Sequence, residues 1–123
     1  MPLVPAFILR RLYVKSSLHN TTGGWSFTLR NSLGSGYATG LVPLKLDEAT
    51  EIPMAKTWFI DGESGDTITF DQVTDQNTFG LKMNKEIEIN GKPLPPGEHI
   101  VYFGCIVPGI GQIGFDFTDM VPS

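Results

Sequence analysis

The chain has 123 residues, a formal net charge of −4 and 41% hydrophobic residues, among them eight phenylalanines. This length suits a single domain spanning residues 1–123, and the aromatic content supplies enough apolar bulk for a core, which excludes a disordered chain. The mild negative charge excludes a typical nucleic-acid-binding module, which carries a basic surface.

The N-terminal segment is apolar without being a signal peptide. In residues 6–14 apolar side chains occupy both odd and even positions, so an extended chain would have apolar residues on both faces. This predicts a first β-strand covered on both sides. Pro2 and Pro5 favour an extended start over a helical one. We therefore expect this segment to pack on its own sheet or on a neighbouring chain, with the neighbour preferred. The predicted interface consists of Leu3, Val4, Phe7, Ile8 and Leu9.

The middle of the chain alternates short β-type runs with glycine and proline. In residues 25–29 large apolar side chains alternate with serine and threonine, which predicts a strand with one side in solvent. Residues 37–46 predict a strand interrupted at Pro43, since proline is confined to edges and bends of a sheet. A loop is expected at 47–53. The only helical segment expected is a single turn near 70–74.

The C-terminal third contains the clearest strand signals. Residues 85–89 alternate isoleucine with glutamate, and a favourable turn dipeptide, Asn90-Gly91, follows. Two further strands are expected over 99–107 and around 113–117. Together these runs predict an all-β domain, a single antiparallel β-sandwich or partly open barrel of about seven to nine strands.

The sequence contains no recognisable catalytic, cofactor or metal-binding constellation. The two histidines, His19 and His99, lack the spacing and cysteine partners of a metal site, and we expect them to be a surface residue and a strand-start residue. The three carboxylates of residues 61–66 do not fit a calcium-binding loop and indicate a solvated turn.

Cys105 is the only cysteine, so an intrachain disulfide is impossible. It lies in an apolar run, which predicts a buried, unreactive thiol. A secreted domain of this size often carries disulfides, so their absence favours a cytoplasmic protein. No apolar stretch reaches the roughly 18 residues of a membrane-spanning helix.

Four segments spread along the chain carry a family resemblance: residues 12–20, 24–31, 91–99 and 114–119. Together they resemble the small β-subunit family of C-glycoside deglycosidases. The resemblance implies a β-sandwich accessory subunit that assembles with a larger TIM-barrel subunit, which holds the metal and the main catalytic groups. It assigns no catalytic residue to this chain.

Two classes of function are therefore expected to compete, and both are favoured over a third, a free-standing enzyme. The first is a non-catalytic subunit or interaction module that assembles with itself or with a larger enzyme subunit, in C-glycoside processing if the resemblance holds. The alternative is a stand-alone domain that binds a small molecule or a sugar, with Trp25 or Trp58 stacking on the ligand. We expect no cofactor, no nucleic-acid partner and no membrane association.

Overall fold

In this computed structural model the described residues are 6–30, 37–60, 65–80 and 85–122. They form twelve β-strands, five of which have only two residues. The strands are β1 (His19–Thr21), β2 (Gly24–Leu29), β3 (Tyr37–Ala38), β4 (Gly40–Leu41), β5 (Lys45–Leu46), β6 (Thr50–Glu51), β7 (Thr57–Ile60), β8 (Thr67–Thr69), β9 (Phe79–Gly80), β10 (Lys85–Asn90), β11 (Gly97–Val107) and β12 (Gly111–Val121). The strand pairs are antiparallel, and the predicted all-β sandwich is confirmed.

The first sheet has the order β1-β2-β10-β7-β8. Within this sheet the longest ladder pairs β10 with β2, and it places Ile87 opposite Phe27. The predicted alternation in β10 is confirmed, because Ile87 and Ile89 are buried whereas Glu86 is exposed and Glu88 is half-buried.

The second sheet has the order β12-β11-β5-β6, and β4 also pairs with β11. It is built around the hairpin of β11 and β12, whose register runs from the Gly97–Val121 pair to the Val107–Gly111 pair. The predicted 37–46 strand is three short strands, and Pro43 lies in the break between β4 and β5 as expected. β3, which ends before Thr39, pairs instead with β9 in a separate two-stranded sheet. Because β4 and β5 lie on the same side of β11, the break keeps both pieces on this sheet.

Aromatic side chains join the two sheets. Phe27 of the first sheet contacts Phe117 of the second, with 5.1 Å between ring centroids. Phe79 bridges Phe59 of the first sheet and Phe103 of the second at 4.8 Å and 6.1 Å. The core is thus a layer of rings between two open sheets, as expected for a sandwich.

The prediction of a strand over residues 6–14 is wrong. The segment forms a short helix, α1 (Ala6–Leu9), which continues into a 3₁₀ turn at Arg10–Leu12. Leu9 and Leu12 are buried at 5% and 7% exposure, and their spacing of three residues is that of one helix face. The apolar residues at both odd and even positions are therefore explained by a helix with one buried face, not by a strand buried on two sides. Tyr13 then makes a single bridge to Leu29.

The predicted helical turn near 70–74 is confirmed as a 3₁₀ turn at Phe70–Gln72. Its start is capped, since the Thr69 backbone N–H donates to the Gln72 side-chain oxygen over 2.9 Å. A further 3₁₀ turn at Met54–Lys56 was not expected. Among the described residues, no helix has the length and apolar character needed to cross a membrane.

The expectation that β2 has one side in solvent needs correction. Ser26, on the side away from the core, is fully buried, and its hydroxyl has no hydrogen-bond partner among the described residues. The register places Ser26 between His19 of β1 and Glu88 of β10. A small side chain between two larger ones is covered by them, which a pattern of apolar and polar residues does not reveal.

Candidate ligand-binding cleft

A row of charged and aromatic side chains crosses the outer face of the second sheet. The register places Lys45 opposite Glu51 on one side and opposite Tyr102 on the other, and it places Tyr102 opposite Asp116. Val101, next to Tyr102 in sequence, is fully buried in the core. Because side chains alternate along a strand, the row lies on the face away from the core.

The phenol ring of Tyr102 lies over two glycines that pair across β11 and β12, Gly104 and Gly114. A Cβ on Gly114 would lie 2.2 Å from the Tyr102 Oη and 2.6 Å from its Cζ. A Cβ on Gly104 would lie 3.0 Å from the Tyr102 Cε2. The ring thus occupies the space that two side chains would otherwise fill, and it rests on the sheet backbone.

A cleft of about 450 Å³ lies over this row. Its volume falls within the range of small-molecule sites, about 300–1,000 Å³. The lining combines one aromatic ring, three apolar side chains and five polar or charged ones: Tyr102; Val42, Pro43 and Ile100; and Lys45, Glu48, Glu51, Gln112 and Asp116.

The lining of the cleft is rich in groups that form hydrogen bonds. Its three carboxylates, on Glu48, Glu51 and Asp116, belong to exposed residues. The lining residues also include Lys45 and Gln112, which can donate hydrogen bonds. What the lining offers is a flat aromatic surface surrounded by hydrogen-bond donors and acceptors.

One of these carboxylates is held in place from the N-terminal segment. The Arg10 guanidinium donates to the Asp116 carboxylate over 2.8 Å and to the Asp116 backbone carbonyl over 2.7 Å. Both side chains are about half-exposed, at 47% and 51%. Such a pair contributes little to stability, but it fixes the direction of the carboxylate and offsets its charge at the rim of the cleft.

The β5–β6 hairpin, which supplies much of the lining, is anchored to β11 through Asp47. This residue takes a left-handed conformation, with φ of 52°. One of its carboxylate oxygens accepts the Ile100 N–H over 2.9 Å, and the other lies 2.9 Å from Nδ1 of His99. His99 Nε2 lies 2.7 Å from the Pro95 carbonyl oxygen. The expectation of a plain loop at 47–53 is therefore wrong, because β6 and this anchor lie within it.

The hydrogen bonds of this anchor favour its charged state. Desolvation lowers the pKa of His99, but the bonds to Asp47 and Pro95 and the Asp47 charge outweigh it, so the pKa is raised. For Asp47, desolvation raises the pKa, but the hydrogen bonds from Ile100 and His99 outweigh this effect, so the pKa is lowered. His99 is thus a residue at the start of a strand, as expected, with the added role of anchoring the hairpin.

The predicted interface residues do not form one surface in the structure. Leu3 and Val4 lie outside the described residues. Phe7 is 66% exposed, Ile8 is half-buried, and Leu9 belongs to the core at 5% exposure. Within the described part of the segment, Phe7 is therefore the side chain best placed to contact another molecule.

Other residues considered from the sequence have structural roles. His19 is exposed on β1, as expected. Trp25 is 2% exposed, so it cannot stack on a ligand, and Trp58 is half-buried. Burial raises the pKa of the Cys105 thiol to about 11, in line with the expected buried cysteine. In the four described ranges, no group of three histidine, cysteine or acidic residues could hold a metal ion.

Most of the predicted acidic turn at 61–66 lies outside the described residues, which exclude 61–64. Tyr102, by contrast, was not anticipated as a binding residue. The available signal was glycine at two interior positions of long strands, Gly104 and Gly114, since such glycines mark a close approach of another group.

The family described as "Hydroxymethylglutaryl-CoA reductase, N-terminal domain" matches residues 8–122. The chain belongs to this family. No curated protein matches the chain.

Membership of the hydroxymethylglutaryl-CoA reductase N-terminal domain family overturns the resemblance to the C-glycoside deglycosidase β-subunit. The segments that suggested this resemblance contain strand and turn residues and no catalytic motif. Residues 24–29 form β2 and residues 114–119 lie in β12. Residues 91–96 connect β10 to β11, and the His99 ring lies 2.7 Å from the Pro95 carbonyl oxygen of this connection. Turns and alternating strands of this kind serve the packing of many β-sandwiches, which is why they did not identify the family.

Proposed function

We propose that this chain is a non-catalytic β-sandwich domain that binds a small polar molecule in the cleft over Tyr102. One observation carries the proposal: an aromatic ring lies over two paired strand glycines at a cleft lined by both donors and acceptors. Glycine inside a strand weakens it, so two facing glycines are a cost to the sheet. The ring that covers them gives the surface a defined shape, which is what a small-molecule site requires.

The proposal is tested by asking whether anything binds in the cleft. The purified chain is mixed with a chemically mixed set of neutral, cationic and anionic small molecules, and binding is followed by saturation-transfer NMR. We expect at least one member to bind the parent protein and to lose its signal in the Tyr102→Ala variant. A Tyr37→Ala variant is the matched control, because Tyr37 is an exposed tyrosine that does not line the cleft.

The proposal is wrong if no molecule of the set binds, or if every binder is unaffected by Tyr102→Ala. Thermal unfolding of each variant verifies that the sheet has kept its fold before binding is compared.

A second candidate function is assembly with a larger enzyme subunit or with a second copy of the chain. Two observations favour it. Phe7 is 66% exposed on α1, next to the edge strand β12, although large apolar side chains are costly to leave in water. The family is also named for one domain of a reductase, which suits a domain that works beside a catalytic partner. A cytoplasmic location would fit both candidates.

Sedimentation velocity of the chain at high micromolar concentration tests self-assembly. We expect the Phe7→Ser variant to sediment as a smaller species than the parent protein. Ile60→Ser is the control, because Ile60 is 53% exposed but lies on β7 of the other sheet. Leu9 should be left unchanged, since its side chain is in the core. A parent protein that is monomeric at these concentrations, alone and with a hydroxymethylglutaryl-CoA reductase catalytic domain, rules out this candidate.

A further inference from the structure

We infer that the ligand of the Tyr102 cleft is a neutral ring that carries several hydroxyl groups, such as a pyranose sugar. This inference rests on the proposed binding function and names its ligand class. It follows from the shape of the aromatic surface, from the spacing of the polar groups beside it, and from the charges in the lining.

The aromatic surface is suited to the apolar side of a sugar ring. The Tyr102 ring rests on Gly104 and Gly114, so its position is set by the backbone and costs little further entropy when a ligand arrives. The face of an aromatic ring is the negative end of its quadrupole, and it attracts C–H groups that carry a partial positive charge. A pyranose presents several such C–H groups on one side, with its hydroxyl groups around the rim.

The polar side chains lie where those hydroxyl groups would be. Lys45 and Asp116 flank Tyr102 from the two neighbouring strands. Neighbouring strands are about 4.8 Å apart, so the two side chains start roughly 10 Å from each other across the ring. That span matches a six-membered ring with hydroxyls on both sides. Carboxylates accept from hydroxyl groups, and the ammonium of Lys45 donates to them.

The charged side chains of the lining are three carboxylates and one ammonium, which disfavours an anionic ligand. The Asp116 carboxylate is already paired with Arg10 at 2.8 Å. Lys45 stands opposite Glu51 in the β5–β6 register. Arg10 offsets only one of the three lining carboxylates, so an anionic ligand would meet an excess of negative charge. The hydroxyl groups of a neutral polyol can donate to the carboxylates and accept from the Lys45 ammonium, whereas a cation without hydroxyl groups could use only the carboxylates.

The test is isothermal titration of the full chain with three methyl glycosides, of glucose, galactose and mannose. Tetramethylammonium and inorganic phosphate are the charged probes. We expect at least one glycoside to bind with saturable heat and the charged probes to give none. Tyr102→Ala should weaken the glycoside by at least about tenfold, which corresponds to ~1.4 kcal/mol. Tyr102→Phe keeps the ring and should retain binding, and Tyr37→Ala should change nothing.

A second variant keeps the test informative if Tyr102→Ala does not fold. Glu51→Gln leaves the ring in place and removes one charged acceptor, and we expect it to weaken the glycoside measurably. The inference is overturned if only a charged probe binds, if no glycoside binds, or if glycosides bind Tyr102→Ala as well as the parent protein. The binding function itself fails only if the mixed set of small molecules also finds no site that depends on Tyr102.

Discussion

Raising the pH should loosen the anchor that holds the β5–β6 hairpin on β11. Both ring nitrogens of His99 face acceptors, the Asp47 carboxylate at 2.9 Å and the Pro95 carbonyl at 2.7 Å. Only the doubly protonated imidazolium can donate to both at once. Once His99 loses a proton, one nitrogen presents a lone pair to an oxygen, and one of the two hydrogen bonds is lost.

The direction of the stability change follows from the pKa. Although desolvation lowers the pKa of His99, the hydrogen bonds to Asp47 and Pro95 raise it overall in the folded state. Its contribution is therefore complete below the unfolded value, about 6.5, and disappears as the pH rises through the folded-state pKa. A hydrogen bond to a charged group contributes about 1.5–3 kcal/mol when buried. Because the Asp47 side chain is 47% exposed, solvent screening reduces this to about 1 kcal/mol.

The matched perturbation is Asp47→Asn, since asparagine tolerates the left-handed backbone and keeps an oxygen for the Ile100 N–H. Urea unfolding of both proteins is measured at pH values of about 5.5 and about 9, on either side of the histidine range. We expect the parent protein to be more stable than the variant by about 1 kcal/mol at the lower pH, and by less than half of that at the higher pH. An equal difference at both pH values would refute the reasoning, as would a difference that grows with pH.

Four further outcomes follow from individual contacts. Ser26→Ala should raise the free energy of unfolding by up to about 1 kcal/mol, because it removes a buried hydroxyl without a partner; a loss measured by urea unfolding would contradict this. Cys105, with its thiol pKa raised to about 11, should react with a thiol reagent far more slowly in the native protein than in urea, and equal rates would show that it is accessible. Arg10→Ala should cost less than about 1 kcal/mol in the same urea assay, because its ion pair is half-exposed, and a larger loss would mean that the bond to the backbone dominates. Gly114→Ala should lower both the melting temperature and ligand binding, because a Cβ there would lie 2.2 Å from the Tyr102 Oη, and unchanged binding would show that the ring position is not important.

The sequence predicted strands most accurately where one face of the strand is buried in the core. The alternation in residues 85–89 and 113–117 predicted β10 and β12 because every second side chain is buried between the sheets. The strand prediction for residues 6–14 is wrong because apolar residues at both odd and even positions fit a doubly buried strand and a short helix equally well. Only the tertiary contact of α1 with β12 decides between them, and that contact is not written in the segment itself.

The cleft was beyond the reach of local sequence patterns. Lys45, Tyr102 and Asp116 are far apart in the chain, and the strand register is what brings them into one row. The sequence pointed to the tryptophans as aromatic ligand contacts, but Trp25 is large and apolar and lies in the core. Gly104 and Gly114 face each other on β11 and β12, where the Tyr102 ring covers them. The sequence shows each glycine, but only the strand register shows that the two are neighbours.

The most direct measurement for the Tyr102 cleft uses the three tyrosines of the chain as internal reporters. Tyr13 is half-buried and stacked on Phe117 with 3.7 Å between ring centroids, and Tyr37 is exposed and does not line the cleft. With ¹³C-labelled tyrosine rings assigned by single Tyr→Phe variants, the protein is titrated with the methyl glycosides. We expect the Tyr102 ring signals to shift progressively and saturate, while those of Tyr13 and Tyr37 stay in place. Unshifted Tyr102 signals at saturating glycoside, or shifts confined to Tyr37, would contradict a binding site in this cleft.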